Sequence, residues 1–141
     1  MATTRIANAR WEGPLIGGQG RVSLDSSNIG TFEVTWASRA EQPDGRTSPE
    51  EMIAGAHSTC YSMALSAGLA GAGTPPETID TKAEVTFQPG EGITGIHLTV
   101  RASVPGISAS DFEKAAQTAK ENCPVSKALT GTKITLDAAL T

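Results

Sequence analysis

Several residue classes are scarce in this chain of 141 residues, and each scarcity excludes a class of protein. The chain has three Phe, two Trp and one Tyr, so Ala, Val, Ile, Leu and Met must build the core. Two cysteines are too few for the disulfide scaffold of a small secreted domain. In a reducing compartment, such a pair is redox-active, metal-binding or simply buried.

Basic runs and long apolar runs are also missing. The net charge is −4 and the Lys and Arg residues are scattered, which argues against nucleic acid or an anionic membrane as a partner. No segment approaches the roughly 20 apolar residues of a membrane span. The first residues lack the apolar core of a signal peptide, so we expect a cytoplasmic protein without a membrane partner.

The length and pattern predict one domain over residues 1–141, of the α+β class. Glycine and proline clusters separate short strand patterns, which we expect to pair in hairpins rather than in βαβ units. The predicted strands are 5–12, 21–25, 31–36, 79–88, 93–104 and 133–140, and the predicted helices are 49–70, 111–122 and 125–129. Ser110 is the expected N-cap of the second helix.

The segment from Ser48 onward gives the strongest helix signal. Ser48 suits the N-cap, Pro49 the first helical position, and Glu51 the third residue of a capping box. Apolar residues then recur at positions 52, 53, 56, 60, 63, 64 and 67, which is helical spacing. A long helix lined with small residues is expected to lie at the centre of the fold.

Cys60 lies on the apolar stripe of that helix. A buried core cysteine explains the position, and burial raises a thiol pKa and lowers its reactivity. In mid-helix the thiol gains little from the helix dipole. A nucleophilic role for Cys60 therefore requires a nearby cation.

Cys123 precedes Pro124, a residue that favours the first turn of a helix. The thiol then lies near unpaired backbone N–H groups, which stabilise a thiolate. A small residue at a helix kink is the alternative interpretation. On local physics alone, Cys123 is the more acidic thiol and the better leaving group from a disulfide.

Other chemically capable residues are individually unremarkable. Glu50 suits a helix N-terminus, and Arg39 and Arg21 read as ordinary exposed arginines. His57 is one helical turn before Cys60 and is a candidate base or ligand, although the sequence favours a satisfied or exposed histidine. A zinc site has weak support, because no second nearby ligand accompanies it.

Two cysteine motifs give the chain a specific resemblance. The segment 47–65 reads Thr-Ser-Pro-Glu-Glu-Met-Ile-Ala-Gly-Ala-His-Ser-Thr-Cys-Tyr-Ser-Met-Ala-Leu, and 122–129 reads Asn-Cys-Pro-Val-Ser-Lys-Ala-Leu. Both resemble the osmotically inducible peroxidase (OsmC/Ohr) family, as do 134–137 and 11–13. His57 and the Cys-Tyr-Ser-Met run resemble its OsmC branch.

The resemblance implies an OsmC-like fold, with antiparallel sheets wrapped around long central helices in an intertwined homodimer. It implies Cys60 as the peroxidatic cysteine, Cys123 as the resolving cysteine and Glu50 as the catalytic glutamate. The activating arginine is expected at Arg39, because Ala-Ser-Arg at 37–39 matches the OsmC branch. In the other branch the arginine follows a Gly-Gly pair, where this chain has Gln19, with Arg21 two positions later.

The resemblance also implies reduction of organic hydroperoxides to alcohols through a Cys60 sulfenic acid and a Cys60–Cys123 disulfide, in defence against oxidative or osmotic stress. A dithiol such as a lipoyl protein is the expected reductant, without cofactor or metal. Met52, Ile53 and Met63 are expected to contact the organic substrate. The alternatives are a non-catalytic OsmC-like binding protein, a metal-binding protein that uses Cys60, His57 and Cys123, and a structural domain with inert thiols.

Overall fold

A computed structural model describes all residues from Met1 to Thr141. The chain forms two compact units, Met1–Met52 and Ile53–Thr141. The single domain over 1–141 stays a prediction. No helix is long and apolar enough to cross a membrane.

The first unit contains a three-stranded antiparallel sheet. Its strands are β1 (Asn8–Glu12), β2 (Gln19–Ser23) and β3 (Thr31–Val34), paired in that order. Gly13 and Gly17 between the first two strands have φ of 89° and 86°, values that a residue with a Cβ rarely adopts. These glycines allow the tight return that brings β2 back along β1.

A short helix, α1 (Trp36–Ala40), follows β3 where the sequence pattern predicts continued strand to residue 36. Thr35 and Ser38 explain the difference. The Thr35 side chain accepts a hydrogen bond from the Ser38 N–H at 3.0 Å, and the Ser38 hydroxyl accepts one from the Thr35 N–H at 2.9 Å. This reciprocal capping box starts the helix despite an alternating pattern before it.

The long helix α2 (Pro49–Gly71) confirms the strongest prediction from the sequence. Ser48 is its N-cap, since its hydroxyl accepts the Glu51 N–H at 3.1 Å. The Glu51 carboxylate accepts a hydrogen bond from the Thr47 hydroxyl at 2.6 Å. Gly73, with φ of 89°, lies just beyond the end of the helix.

The second unit contains the rest of α2 and a mixed sheet of β4 (Thr78–Gln88), β5 (Gly92–Ser103) and β6 (Ile134–Leu140). β4 and β5 form the predicted antiparallel hairpin. β5 and β6 are parallel, which corrects the expectation of hairpins alone. A parallel pair needs a crossover, and here the helical segment between the two strands supplies it.

That crossover consists of α3 (Ala109–Asn122) and α4 (Pro124–Ala128), with Cys123 between them. Ser108, rather than the predicted Ser110, caps α3, because its hydroxyl accepts the Asp111 N–H at 3.1 Å. Pro124 occupies the first position of α4, as the sequence predicts.

The core of the second unit lies among α2, β5 and α3. β5 alternates buried and partly buried residues over much of its length, as expected for a strand with one face toward the core. The buried members of the core are Tyr61, Leu65, Leu69, Ile96, Leu98, Val100, Ala102, Val104, Phe112, Ala116, Ala119 and Cys123. One of the two cysteines is therefore a core residue.

Candidate active site

Arg39 and Glu50 form a close ion pair within the first unit. Arg39 lies in the last turn of α1 and Glu50 in the first turn of α2. The guanidinium donates from Nε at 3.0 and 3.2 Å and from Nη2 at 2.9 Å to the two carboxylate oxygens. This charge-assisted, bidentate contact fixes the orientation of the guanidinium.

Arg39 also lines a cavity of about 420 Å³ in the first unit. The wall of the cavity is largely apolar and includes Trp11, Leu15, Val34, Trp36 and Pro49. Arg21 lies elsewhere, on β2, and lines a small polar cavity with Arg10 and Glu33. Of the two candidate arginines, Arg39 is therefore the one that combines a carboxylate partner with apolar surroundings.

Cys60 and Cys123 come together in the second unit, 63 positions apart in the sequence. Cys123 is fully buried and Cys60 is partly buried and packs against the same core. Hydrogen bonding between the two thiols is among the causes that shift their pKa values. The tertiary structure thus brings into contact two thiols that no local motif could join.

The two thiols have opposite pKa shifts. Burial raises the pKa of the Cys60 thiol, and the hydrogen bond to Cys123 raises it further. The pKa of Cys123 is lowered despite burial, because the Ser126 backbone N–H, the Cys60 thiol and the Ser126 hydroxyl stabilise its anion. Cys123 is therefore the more acidic of the two thiols, as local physics predicts.

The position of Cys123 before Pro124 contributes to this difference. The sulfur does not close a capping hydrogen bond of ordinary geometry. Hydrogen bonding from the backbone N–H groups of Ser126 and Val125 nevertheless favours its anionic form and lowers its pKa. Activation of Cys60 by the Arg39 guanidinium stays a prediction, and the raised pKa of Cys60 shows how much a cation has to offset.

His57 is fully buried, where the sequence favoured a satisfied or exposed ring. Its Nε2 lies 2.7 Å from the Ser126 hydroxyl oxygen, and its Nδ1 has no hydrogen-bond partner. Burial lowers the pKa of the imidazole. Sequence reasoning did not single out Ser126, and the available signal was its position three residues after Cys123, on the same short helix.

The three predicted substrate-contacting residues occupy different environments. Ile53 packs against the core of the second unit. Met52 is partly buried and Met63 is 67% exposed. No group of three or more His, Cys, Asp and Glu side chains comes together as a metal site.

Known proteins with a similar sequence or fold identify the family. A family model described as OsmC-like protein matches residues 42–137. Peroxiredoxin OsmC of Escherichia coli (strain K12) is 42% identical over 140 residues, which cover 97% of this chain and 96% of the relative.

Solved structures agree in fold. An OsmC-like protein from Mycoplasma pneumoniae superposes with a TM-score of 0.76 at 13% identity, covering 100% of this chain and 99% of that chain. The organic hydroperoxide resistance protein OhrB of Bacillus subtilis has a TM-score of 0.68 at 19% identity, covering 96% and 98%. With a family match over most of its length and a relative of this identity, the chain belongs to the OsmC family.

Proposed function

We propose that the protein is a thiol-dependent peroxidase that reduces organic hydroperoxides to alcohols, with Cys60 as peroxidatic and Cys123 as resolving cysteine. The observation that carries the proposal is that these two free cysteines, far apart in the sequence, pack at the same core and shift each other's pKa. The relative with 42% identity is named a peroxiredoxin, which supports the same chemistry.

In the first step, the Cys60 thiolate attacks the terminal oxygen of the hydroperoxide. An S–O bond forms while the O–O bond breaks, so the sulfur loses two electrons and becomes a sulfenic acid. The departing alkoxide takes a proton and leaves as the alcohol. Arg39 supplies the positive charge that favours the Cys60 thiolate, and Glu50 holds its guanidinium.

In the second step, the Cys123 thiolate attacks the Cys60 sulfenic sulfur. The new S–S bond displaces the oxygen, which leaves as water after protonation. An external dithiol, for which we propose a lipoyl protein, then reduces the disulfide by exchange. The lowered pKa of Cys123 suits both events, because a stable thiolate attacks readily at neutral pH and leaves readily during exchange.

The substrate is proposed to be an organic hydroperoxide rather than hydrogen peroxide. The largely apolar cavity beside Arg39 supports this preference, since an alkyl or aryl group gains from leaving water. Met52, Ile53 and Met63 are proposed to add apolar contacts. Comparable catalytic efficiencies for cumene hydroperoxide and hydrogen peroxide would argue against the preference.

We also propose that the protein is a cytoplasmic homodimer, and that residues 1–141 act as one OsmC-like domain within it. Large exposed apolar side chains support a protein partner, among them Leu15, Ile16 and Met63, which are 55%, 68% and 67% exposed. Light scattering after size-exclusion chromatography tests the assembly. A monomer across the micromolar range would contradict it.

Stopped-flow mixing of the reduced protein with cumene hydroperoxide, followed by mass spectrometry, tests the peroxidase function. The expected product is the Cys60–Cys123 disulfide together with one alcohol per peroxide. Cys123→Ser should complete one turnover and accumulate oxidised Cys60. Unchanged peroxide reduction, or full function in stress protection, by Cys60→Ser would instead favour a non-catalytic binding role for the thiol.

A further inference from the structure

The interior of the second unit contains a polar pair that the proposed peroxidase chemistry does not use. His57 is fully buried and Ser126 is 4% exposed. The Nε2 atom of the ring lies 2.7 Å from the serine oxygen. Ser126 lies on α4, whose N-cap is Cys123, and hydrogen bonding from its hydroxyl is one of the causes that lower the pKa of Cys123. Buried polar side chains cost free energy unless they are paired, so this pair needs an explanation.

Hydrogen-bond counting assigns the protons of this pair. A serine hydroxyl has one proton, so Ser126 can donate to the Cys123 sulfur only if it accepts from the His57 ring. That arrangement puts the ring proton on Nε2 and leaves the unpartnered Nδ1 as a bare acceptor. The opposite tautomer would bury an unpaired N–H donor, which is the rarer kind of orphan, and would turn the hydroxyl away from Cys123.

We propose that His57 and Ser126 are positioning residues for the resolving thiol, in which the imidazole Nε2–H holds the Ser126 hydroxyl with its O–H directed at the Cys123 sulfur. This proposal rests on the proposed function for its role in turnover. The fixed O–H stabilises the thiolate that attacks the Cys60 sulfenic acid. It stabilises the same thiolate again when Cys123 leaves during reduction of the disulfide.

The other groups facing the sulfur show why a neutral donor matters. The titratable neighbours are Cys60 and Tyr61, both on α2, and His57 is one hydrogen bond further away. The Tyr61 hydroxyl donates to the Ala116 carbonyl at 2.9 Å and is not directed at the sulfur. Apart from the Cys60 thiol, the anion therefore depends on the hydroxyl and N–H dipoles of α4.

Ultraviolet thiolate absorbance of Cys123 as a function of pH tests the proposal. Cys60→Ser serves as background, because it leaves one thiol and keeps a hydroxyl donor in place of the Cys60 thiol. Ser126→Ala and His57→Leu should each raise the pKa of Cys123 by about one unit, a tenfold loss of thiolate at a given pH. Ser126→Thr and His57→Gln, which keep the donors, should restore most of the shift. An unchanged pKa in a folded Ser126→Ala protein would overturn the proposal.

NMR of the imidazole nitrogens in the unmodified protein gives a second test that no folding defect can obscure. His57 should carry its proton on Nε2, and His97→Asn assigns the signals because the chain has two histidines. A proton on Nδ1 would overturn the proposal. Neither test needs peroxide turnover. A normal Cys123 titration in a protein inert toward hydroperoxides would therefore reject the proposed function and leave the positioning role standing.

Discussion

The ion pair of the first unit and the thiol pair of the second differ in charge and in burial. Arg39 and Glu50 are both charged, joined by a bidentate contact, and the Arg39 side chain keeps 32% of its surface exposed. Cys60 and Cys123 pack at the same apolar core, with Cys123 fully buried. Burial in the second unit thus raises the pKa of Cys60, the proposed nucleophile, while the first unit holds a fixed positive charge.

The difference teaches that burial and activation compete at Cys60. An apolar environment suits an organic substrate and limits side reactions of the sulfenic acid. The same environment disfavours the thiolate on which the reaction depends. A peroxidase built this way needs its cation from a separate element, which is the role proposed for Arg39.

The largest effect is expected from Cys60→Ser, which removes the nucleophile. Cumene hydroperoxide consumption should fall to the uncatalysed background, because the hydroxyl that replaces the thiol is not a nucleophile at neutral pH. Stopped-flow peroxide assays measure the loss. Cys123→Ser is the matched control and should retain one rapid turnover, whereas equal inactivity of both variants would contradict the division of roles.

Arg39→Ala should lower the second-order rate constant for Cys60 oxidation by about a hundredfold if its guanidinium has the proposed activating role, since a cation that stabilises a thiolate shifts the pKa by about two units. Arg21→Ala should change it by about twofold at most, as expected for an exposed charge. Peroxide titrations in the stopped-flow instrument compare the two variants. Arg39→Lys separates charge from orientation and should fall between wild type and Arg39→Ala. Equal losses at Arg39 and Arg21 would contradict the assignment of Arg39.

Glu50→Gln should cost about tenfold in the same rate constant, because the guanidinium loses its charge-assisted partner and its fixed orientation. Glu51→Gln is the matched control one residue later. Its carboxylate is exposed and bonds the Thr47 hydroxyl, so the rate should stay near that of the wild type. The rate constants of both variants are measured over a range of pH. Similar decreases in the two rate constants would mean that the substitutions act only through the stability of α2, and would contradict a specific role for Glu50.

The smallest expected effect is the contribution of His57, in the second unit, to the pH dependence of the free energy of unfolding. Burial lowers the pKa of His57, so below about pH 6.5 the unfolded chain binds a proton that the folded chain does not. The free energy of unfolding should therefore fall with falling pH, by up to about 1.4 kcal/mol per pH unit, until the pH reaches the lowered pKa.

Urea unfolding at neutral pH and one unit below the ordinary histidine pKa measures this slope. His57→Gln should flatten it, because glutamine does not titrate. His97→Asn should leave the contribution of His57 in place. A slope that disappears in His97→Asn and persists in His57→Gln would show that the other histidine is responsible.

The helical part of the fold was well predicted because its signals are local. Ser48, Pro49 and the apolar spacing that follows place α2 correctly, and Pro124 places the start of α4. α1 was missed because the capping box between Thr35 and Ser38 overrides a strand-like pattern. The parallel pairing of β6 with β5 was missed because strand direction depends on the path of the crossover, which residue patterns do not report.

The sequence alone determined the family, through two cysteine motifs, and the acidic character of Cys123, through the proline after it. Only the tertiary structure decided that the two thiols pack at one core, that Glu50 holds Arg39, and that His57 faces Ser126. Helix starts and local pKa trends depend on neighbours within a few residues, which the sequence displays directly. Contacts between residues 11 to 69 positions apart depend on how the elements pack, and that packing is a property of the folded chain as a whole.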